Sequence, residues 1–193
     1  MSEQPVAYFF DYASPWAYLA DALVARELAG VALDHHPVYL RGLESFSQGM
    51  PYSSAKLAYL MRDLARCAEH HRVPIAPPAS FPVDGLHLLR ASWVAKERGA
   101  FERFHGAAFR ATWAEQRETG KKEVAAAMLA EAIGSSEAAA LEAMTAPTIK
   151  DRLREETARA AERGVFGTPS WIVGEELFWG HDRIGYVARA ARG

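Results

Sequence analysis

The stretch YFFDYASPWAYLADALVARELAG, residues 8–30, changes character at Ser14-Pro15-Trp16. The residues before this point are aromatic and typical of a strand, whereas those after it are rich in alanine and leucine and typical of a helix. Serine is a favoured N-cap and proline a favoured first helical residue, so Ser14 is explained as a helix cap. A helix amino terminus also favours an anion, and a thiolate is an anion. Ser14 is therefore either a cap alone or a chemical group at the mouth of a site.

The 193 residues carry a formal net charge of -2 and are 50% hydrophobic. This length and composition suffice for one domain, or for one domain with an insertion. The interspersed charges give no reason to expect nucleic acid or a membrane as partner, so we expect a small-molecule ligand. We see no leader and no apolar span, and the single cysteine, Cys67, suits a reducing compartment. We therefore expect a cytoplasmic protein with access to glutathione.

The predicted strands and helices give the order βαβ, then a helical stretch, then αββα. The first two strands flank one helix, which makes a right-handed crossover between parallel strands. The last two strands form a hairpin that turns at Gly174-Glu175. The predicted strands are residues 6–12, residues 31–40 and the two halves of 170–180, and the helices beside them are residues 15–29, 147–163 and 181–192.

The stretch from Tyr52 to Gly164 has a helical pattern. Its first helix places apolar residues at i, i+3, i+4, i+7 and i+11, and Ser53 or Ser54 is a candidate cap. These residues form one stripe, which consists of Leu57, Leu60, Met61, Leu64 and Ala68. A proline-rich loop follows, and further helices are predicted at residues 86–99, 101–116 and 121–133.

A second signal is GVFGTPSW, residues 164–171, in which Thr168-Pro169 stands directly before a strand. Proline cannot donate to a ladder and restricts the residue before it, so the motif alone indicates a strand-initiating loop or a cis turn. Together with the order of elements and with Ser14-Pro15, it matches the layout of a thioredoxin fold. In that layout the residue before a cis-proline faces the amino terminus of the first helix and offers its backbone to a peptide.

Four segments carry a family resemblance, and they read FFDYASPWAYLA, FPVDGLHLLRA, FRATWAE and RGVFGTPSWIVGEELFWGHDR. From about residue 6 to 187 the chain resembles the 2-hydroxychromene-2-carboxylate isomerase family. That family is similar to kappa-class glutathione transferases and belongs to the DsbA-like thioredoxin superfamily. The resemblance implies a homodimer with an α/β, thioredoxin-like fold at residues 1–50 and 150–193, and an inserted all-helical domain at residues 51–149.

The resemblance also implies a glutathione site. In that family a serine replaces the first cysteine of the redox Cys-x-x-Cys, and the matching position is Ser14. SPWA, residues 14–17, contains no cysteine, so disulfide exchange by the protein itself is excluded. Glutathione would supply the nucleophile, with Ser14 donating a hydrogen bond to its sulfur and the main chain of Thr168, before Pro169, pairing with its cysteinyl part. A donor hydroxyl and a helix amino terminus both favour the thiolate.

Four more residues are expected near glutathione by the same resemblance, although most have an ordinary explanation too. Lys56 and Asp63 match a lysine and an aspartate on the long insertion helix, where they lie within about 20° of each other. A solvated flank is the more frequent explanation for such a pair. Asp182 would hold the ammonium group of the γ-glutamyl end, but an aspartate there also serves as a cap or first-turn carboxylate. His181 is a further candidate contact.

The loop RGLESFSQGMP, residues 41–51, departs from the Lys-x-x-Gly-Asn-Pro pattern of the family. Phe46 stands near the lysine position and Met50 at the asparagine position. Arg41 is a candidate replacement for the cation that binds the substrate carboxylate. The departure therefore concerns the substrate rather than glutathione.

Other residues are weaker candidates. No metal site is expected, because the adjacent pairs His35-His36 and His70-His71 point apart. Cys67 is expected to be a buried or half-buried helix residue without catalytic function. The aromatic residues of the middle helices are expected in the core and in the wall of a pocket, and they are Phe101, Phe104, Phe109 and Trp113.

The resemblance implies a glutathione-dependent isomerase. A thiolate would add to an unsaturated aromatic carboxylate of the 2-hydroxychromene-2-carboxylate type, free a bond to rotate, and be expelled. Two alternatives stay open. One is a kappa-like glutathione transferase or peroxidase that acts on electrophiles, and the other is a non-catalytic thioredoxin-like module that binds a peptide at Pro169. The fold alone does not choose among them.

Overall fold

The computed structural model describes residues 5–78 and 80–193. In these ranges four strands form one sheet, and they are β1 (Val6–Phe10), β2 (Leu33–Pro37), β3 (Ser170–Val173) and β4 (Glu176–Trp179). Their order across the sheet is β2-β1-β3-β4. β2 is parallel to β1, whereas β3 is antiparallel to both β1 and β4. The predicted crossover and hairpin are both confirmed.

The helices follow the predicted order, with one connecting β1 to β2, six between β2 and β3, and one at the end. They are α1 (Pro15–Glu27), α2 (Ser54–His71), α3 (Leu86–Glu97), α4 (Phe101–Trp113), α5 (Lys122–Ile133), α6 (Glu137–Thr145), α7 (Pro147–Glu162) and α8 (Ile184–Arg192). Among the described residues, no single helix is long and apolar enough to cross a membrane, and only α5 and α6 together, bent by 109°, meet that test of length and composition. The division into domains at residues 50 and 150 stays a prediction.

β1 is the strand that positions the site. It lies inside the sheet and is buried along its whole length. Because side chains alternate across a strand, Tyr8 and Phe10 pack into the larger core, while Phe9 packs on the opposite face. Tyr8 also stacks on Trp171 of β3, with ring centroids 4.1 Å apart. Both faces of β1 are thus covered, and the strand delivers the loop that follows it, residues 11–14, to one edge of the sheet.

Several element bounds differ from the sequence predictions, and β2, for example, covers Leu33–Pro37 rather than residues 31–40. β1 ends at Phe10 rather than at residue 12, because the chain turns at Asp11, whose carbonyl accepts from the Ser14 amide at 3.0 Å. The helix α6 was not predicted. It begins after Ser136, whose side chain accepts from the Ala139 amide at 3.2 Å, a capping bond that the surrounding run of alanines obscures.

A half-buried ion network joins α7 to β2. The Glu156 side chain, 10% exposed, accepts from His36 Nδ1 at 2.6 Å and from Arg159 Nη2 at 2.7 Å. Burial alone would raise the pKa of Glu156, but the hydrogen bonds from His36 and Arg159 outweigh it and lower the pKa to about 2. This stabilisation is complete above the unfolded pKa near 4.5 and is lost as the pH falls toward 2.

We predict that Glu156→Gln loses much of this acid sensitivity. The difference in unfolding free energy between wild type and variant should narrow by about 2 kcal/mol from pH 7 to pH 3, because protonation removes the same charge that the variant lacks. Urea denaturation at the two pH values measures it. Glu155→Gln removes an exposed carboxylate from the same helix as the control, and a difference that does not change with pH would refute the assignment.

Candidate active site

Ser14 lies at the amino terminus of α1 and is buried. Its Oγ accepts a hydrogen bond from the Ala17 amide at 3.2 Å and donates one to the Thr168 carbonyl at 2.9 Å. The Thr168–Pro169 peptide is cis, and Pro15 begins the helix. The predicted cap and the predicted cis turn are both confirmed, and the hydrogen bond joins two loops from opposite ends of the chain.

The Ser14 hydroxyl has only one proton to donate. In this structure that proton goes to the Thr168 carbonyl. A ligand sulfur that accepts from Ser14 must therefore replace this carbonyl as the acceptor of the hydroxyl proton. The Thr168 carbonyl is then free to accept a hydrogen bond from a donor on the ligand. A cysteinyl peptide carries both groups, a sulfur and an amide N–H, within one residue.

A cavity of about 310 Å³ opens beside Ser14. Four residues of the apolar stripe of α2 contribute to its wall, which are Leu57, Leu60, Met61 and Leu64. Every residue that the sequence predicted for the glutathione site also lines it, although these residues come from separate segments of the chain. They are Ser14, Lys56, Asp63, Thr168, Pro169, His181 and Asp182. The structure brings them together, and their roles stay predictions.

The cavity wall contains both cationic and anionic side chains, and their present contacts with neighbouring residues are weak. The Lys56 Nζ lies 4.3 Å from the centroid of the Tyr52 ring, and the Asp63 carboxylate lies 3.9 Å from the guanidinium of Arg66. Asp182 accepts from Arg183 at 2.6 Å, but both side chains are about half exposed. Exposed ion pairs contribute little to stability in water. These side chains can therefore exchange their present partners for the charged ends of a ligand.

His181 forms a buried part of the wall. Its ring stacks on Trp16 with centroids 4.9 Å apart. Burial lowers the pKa of the imidazole; Asp182 opposes this shift and His71 adds to it. The ring is therefore mainly neutral at pH 7 and can donate one hydrogen bond and accept another.

In a comparison with known protein families, residues 5–191 of the chain match the DSBA-like thioredoxin domain. The chain belongs to this family. Among curated relatives, the 2-hydroxychromene-2-carboxylate isomerase of Pseudomonas sp. (strain C18) is 27% identical, and the match covers 97% of this chain and 90% of the relative. The enzyme of the same name from Sphingobium xenophagum is also 27% identical, with 94% of this chain and 95% of the relative covered.

Two solved structures are similar to this chain over nearly its whole length. The structure of a 2-hydroxychromene-2-carboxylate isomerase matches with a TM-score of 0.83 and 25% identity, covering 97% of this chain and 94% of that one. The cytosolic disulfide reductase DsbM from Pseudomonas aeruginosa with GSH matches with a TM-score of 0.68 and 17% identity, covering 98% and 96%, which shows a shared fold alone. The predicted thioredoxin-like fold with a helical insertion is confirmed, and so is the family resemblance.

Asp182 of this DsbA-like domain does not cap the last helix. It lies in the short 3-10 helix His181–Arg183, and no side chain in the described ranges caps the start of α8. The explanation as a helix cap was therefore wrong, because the chain makes a short 3-10 turn before α8 begins. The alternative, a first-turn carboxylate, is confirmed for this 3-10 helix. Gly180 precedes this turn with φ +107°, and a Cβ there would press on the Asp182 carboxylate. The glycine leaves room for that carboxylate at the cavity.

Sequence reasoning missed most of the aromatic side chains of the cavity wall, namely Trp16, Tyr52, Phe81 and Trp179. Trp179 is half exposed and covers Gly167, where a Cβ would lie 2.9 Å from the indole Nε1. This glycine beside Thr168-Pro169 was the available signal, since glycine permits a close approach. Four aromatic residues expected in both the core and the cavity wall lie in the core, as predicted, but not in this wall, and they are Phe101, Phe104, Phe109 and Trp113.

Arg41 lies outside the wall of this cavity. Its guanidinium is 3.4 Å from the Asp84 carboxylate and lines a neighbouring cavity of about 340 Å³. Leu40, Phe46 and Met50 belong to the walls of both cavities. The loop that departs from the family pattern, residues 41–51, therefore lies between the two cavities and forms the partition that separates them.

The histidines of β2 point apart, as predicted, but those of α2 do not, because the ring centroids of His70 and His71 lie 4.8 Å apart. His36 turns to α7, whereas the His35 ring lies 5.1 Å from that of His105. In the described ranges, Asp21, His35 and His105 form a group with the spacing that could hold a metal ion. The two ring nitrogens of His105 are already hydrogen-bonded, one to Tyr12 at 3.0 Å and one to Asp21 at 2.8 Å. Hydrogen bonds within the protein therefore explain why Asp21 and His105 lie close together, without a metal ion.

Proposed function

We propose that the chain is a glutathione-dependent isomerase of an unsaturated aromatic carboxylate of the 2-hydroxychromene-2-carboxylate type. The observation that carries this proposal is the Ser14 hydroxyl, buried at a helix amino terminus and hydrogen-bonded to the residue before a cis-proline. The names of the relatives, which match over nearly the whole chain, supply the reaction class.

Glutathione fits the polar groups of the cavity. The Thr168 Oγ1 is buried and has no hydrogen-bond partner among the described residues, and a buried hydroxyl of this kind is costly unless a ligand or a water satisfies it. Lys56 offers a cation for a glutathione carboxylate, while Asp63 and Asp182 offer anions for its ammonium group. Ser14 offers the hydroxyl for its sulfur.

Ser14 and the amino terminus of α1 would promote the reaction by stabilising negative charge on the glutathione sulfur. When bound, glutathione supplies a thiolate that adds to the unsaturated substrate and leaves again once a bond has rotated. Ser14 donates its proton toward the sulfur, and the amino terminus of α1 favours the same charge. The Ala17 amide holds the Ser14 Oγ in place at 3.2 Å, so only the hydroxyl proton has to turn from the Thr168 carbonyl to the sulfur.

The apolar part of the cavity suits an aromatic substrate. Phe46, Met50, Phe81 and Trp179 supply broad contact surfaces. Phe46 and Met50 cannot make the charged or amide hydrogen bonds of a lysine and an asparagine. A substrate carboxylate must therefore find its cation elsewhere, and Arg183 on the cavity wall and Arg41 behind the partition are the candidates.

A glutathione transferase or peroxidase that acts on electrophiles is the second candidate function. The observation that favours it is the same loop, because Phe46 and Met50 leave a cavity wall without the polar pattern that the resemblance associates with isomerases. A peptide-binding module is the third, and Pro169, which lines the cavity, is the surface it would use.

The test is an absorbance assay of 2-hydroxychromene-2-carboxylate with the purified chain, with and without glutathione. We expect isomerisation that requires both protein and glutathione. Glutathione conjugation of model electrophiles without isomerisation would favour the transferase. Absence of glutathione binding, together with capture of a peptide that Pro169→Ala abolishes, would favour the binding module and contradict the proposal.

A further inference from the structure

Asp11 is a buried carboxylate that the proposed chemistry does not use. Its side chain is 1% exposed. Its Oδ1 accepts from the Ala13 amide at 2.9 Å, and its Oδ2 accepts from the Leu40 amide at 2.8 Å. One carboxylate therefore joins two loops that lie far apart in sequence.

The two amides belong to the two sides of the site. Ala13 directly precedes Ser14, and Leu40 begins the loop that carries Phe46 and Met50, the partition between the two cavities. We propose that Asp11 is a positioning residue, which fixes the substrate-side loop at residues 40–50 relative to the Ser14 hydroxyl. The part of this proposal that concerns the substrate rests on the proposed function.

Gly85 provides independent support. Its φ of -79° and ψ of -6° are open to any residue, so the backbone does not require glycine here. A Cβ at this position would overlap the Asp11 carboxylate oxygen and approach the Ala13 amide to 3.2 Å. Glycine at the start of α3 therefore keeps space for the Asp11 carboxylate between the two loops.

The charge on Asp11 governs the strength of this connection. Burial raises the pKa of Asp11 to about 7; the Ala13 and Leu40 amides lower it, Asp84 raises it and Arg41 lowers it. Asp84 and Arg41 are the charged groups facing Asp11 from the start of α3 and from the loop after β2. A carboxylate accepts hydrogen bonds more strongly than a carboxylic acid. Opening the loops would nevertheless return Asp11 to water, where its pKa is near the ordinary value of 3.8, so the closed state binds the proton more tightly than the open state. By linkage, the two loops should be held less firmly above pH 7 than below it.

The experiment is hydrogen exchange measured by mass spectrometry on wild type, Asp11→Asn and Gly85→Ala. Asparagine removes the charge and one acceptor, and alanine displaces the carboxylate without altering Asp11. In both variants we expect exchange to accelerate by about tenfold in peptides that cover residues 11–14 and 38–50, because each loses a hydrogen bond to a charged acceptor. Exchange in β1 and β3 should not change. Glu44→Gln, which removes an exposed carboxylate from the same loop, is the matched control.

Steady-state kinetics provide the second readout. The KM for the aromatic substrate should rise by about tenfold in both variants, while the KM for glutathione changes by less than about twofold. Hydrogen exchange needs no substrate, so it tests the role of Asp11 even where no isomerase activity is found. Failure of the Asp11 proposal can therefore be distinguished from failure of the proposed function.

Three results would overturn the role of Asp11. The first is unchanged exchange in residues 38–50 of Asp11→Asn, and the second is a uniform rise across the whole chain, which would indicate general destabilisation. If Asp11→Asn does not fold, Gly85→Ala decides by the same criteria. The third is wild-type protection of these peptides that, once corrected for the intrinsic rate, does not weaken as the pH rises from 6 to 8.5.

Discussion

Replacing Ser14 by alanine is expected to lower the turnover of glutathione-dependent isomerisation by roughly 100-fold. The hydroxyl is the side-chain donor at the position proposed for the sulfur, and losing one preorganised donor at a developing charge has an effect of this order. The affinity for glutathione should fall by less than about tenfold, because the contacts proposed for Thr168, Lys56 and Asp182 remain. Measurement of kcat and of the glutathione dissociation constant separates the two effects.

Ser136→Ala is the matched control for this variant. Ser136 caps α6 with the same 3.2 Å bond that Ser14 makes at α1, but it lies outside the cavity wall. Each substitution should cost about 1 kcal/mol of stability through the lost cap. Only Ser14→Ala should lose turnover. Equal activity in the two variants would remove Ser14 from the mechanism and leave it as a cap.

Replacing Asp182 by asparagine is expected to weaken glutathione binding by about tenfold, because it removes a charged hydrogen-bond partner of the ligand ammonium group. The turnover at saturating glutathione should stay near that of wild type, since the ammonium group is remote from the sulfur and its contact is equal in ground state and transition state. Calorimetric titration gives the affinity, and steady-state kinetics give the turnover.

Glu175→Gln is the control for Asp182→Asn. It neutralises an exposed carboxylate in the turn between β3 and β4, outside the cavity wall. If Asp182→Asn binds glutathione as wild type does, the ammonium group lies elsewhere, and Asp63 is then the remaining carboxylate of the cavity. A large loss of turnover with unchanged affinity would also contradict the assignment.

Local signals explain how much of the site could be predicted. Ser14-Pro15 and Thr168-Pro169 each have a backbone preference that is legible within a few residues, and the order of elements places them at one edge of the sheet. The stripe of α2 follows from helical periodicity in the same way. These patterns led to residues that the structure places around one cavity.

The residues that were missed act through contacts that have no local signature. The Asp11 carboxylate accepts from Leu40, which lies 29 positions away, and needs the space left by Gly85. Trp179 approaches Gly167, in the loop before β3, from the end of β4. Single residues in these positions have ordinary sequence surroundings, so only the packed structure reveals the pairs. The helix α6 was missed for a different reason, because its run of alanines carries no clear periodicity.

An ultraviolet titration of glutathione bound to the wild-type chain, following thiolate absorption against pH, shows whether the site activates a thiol. A free cysteine thiol has a pKa near 8.5. We expect the thiol pKa of bound glutathione to be lower by about one unit or more, because Ser14 and the amino terminus of α1 favour the charged form. A bound thiol with an unshifted pKa, or no binding at all, would contradict this expectation.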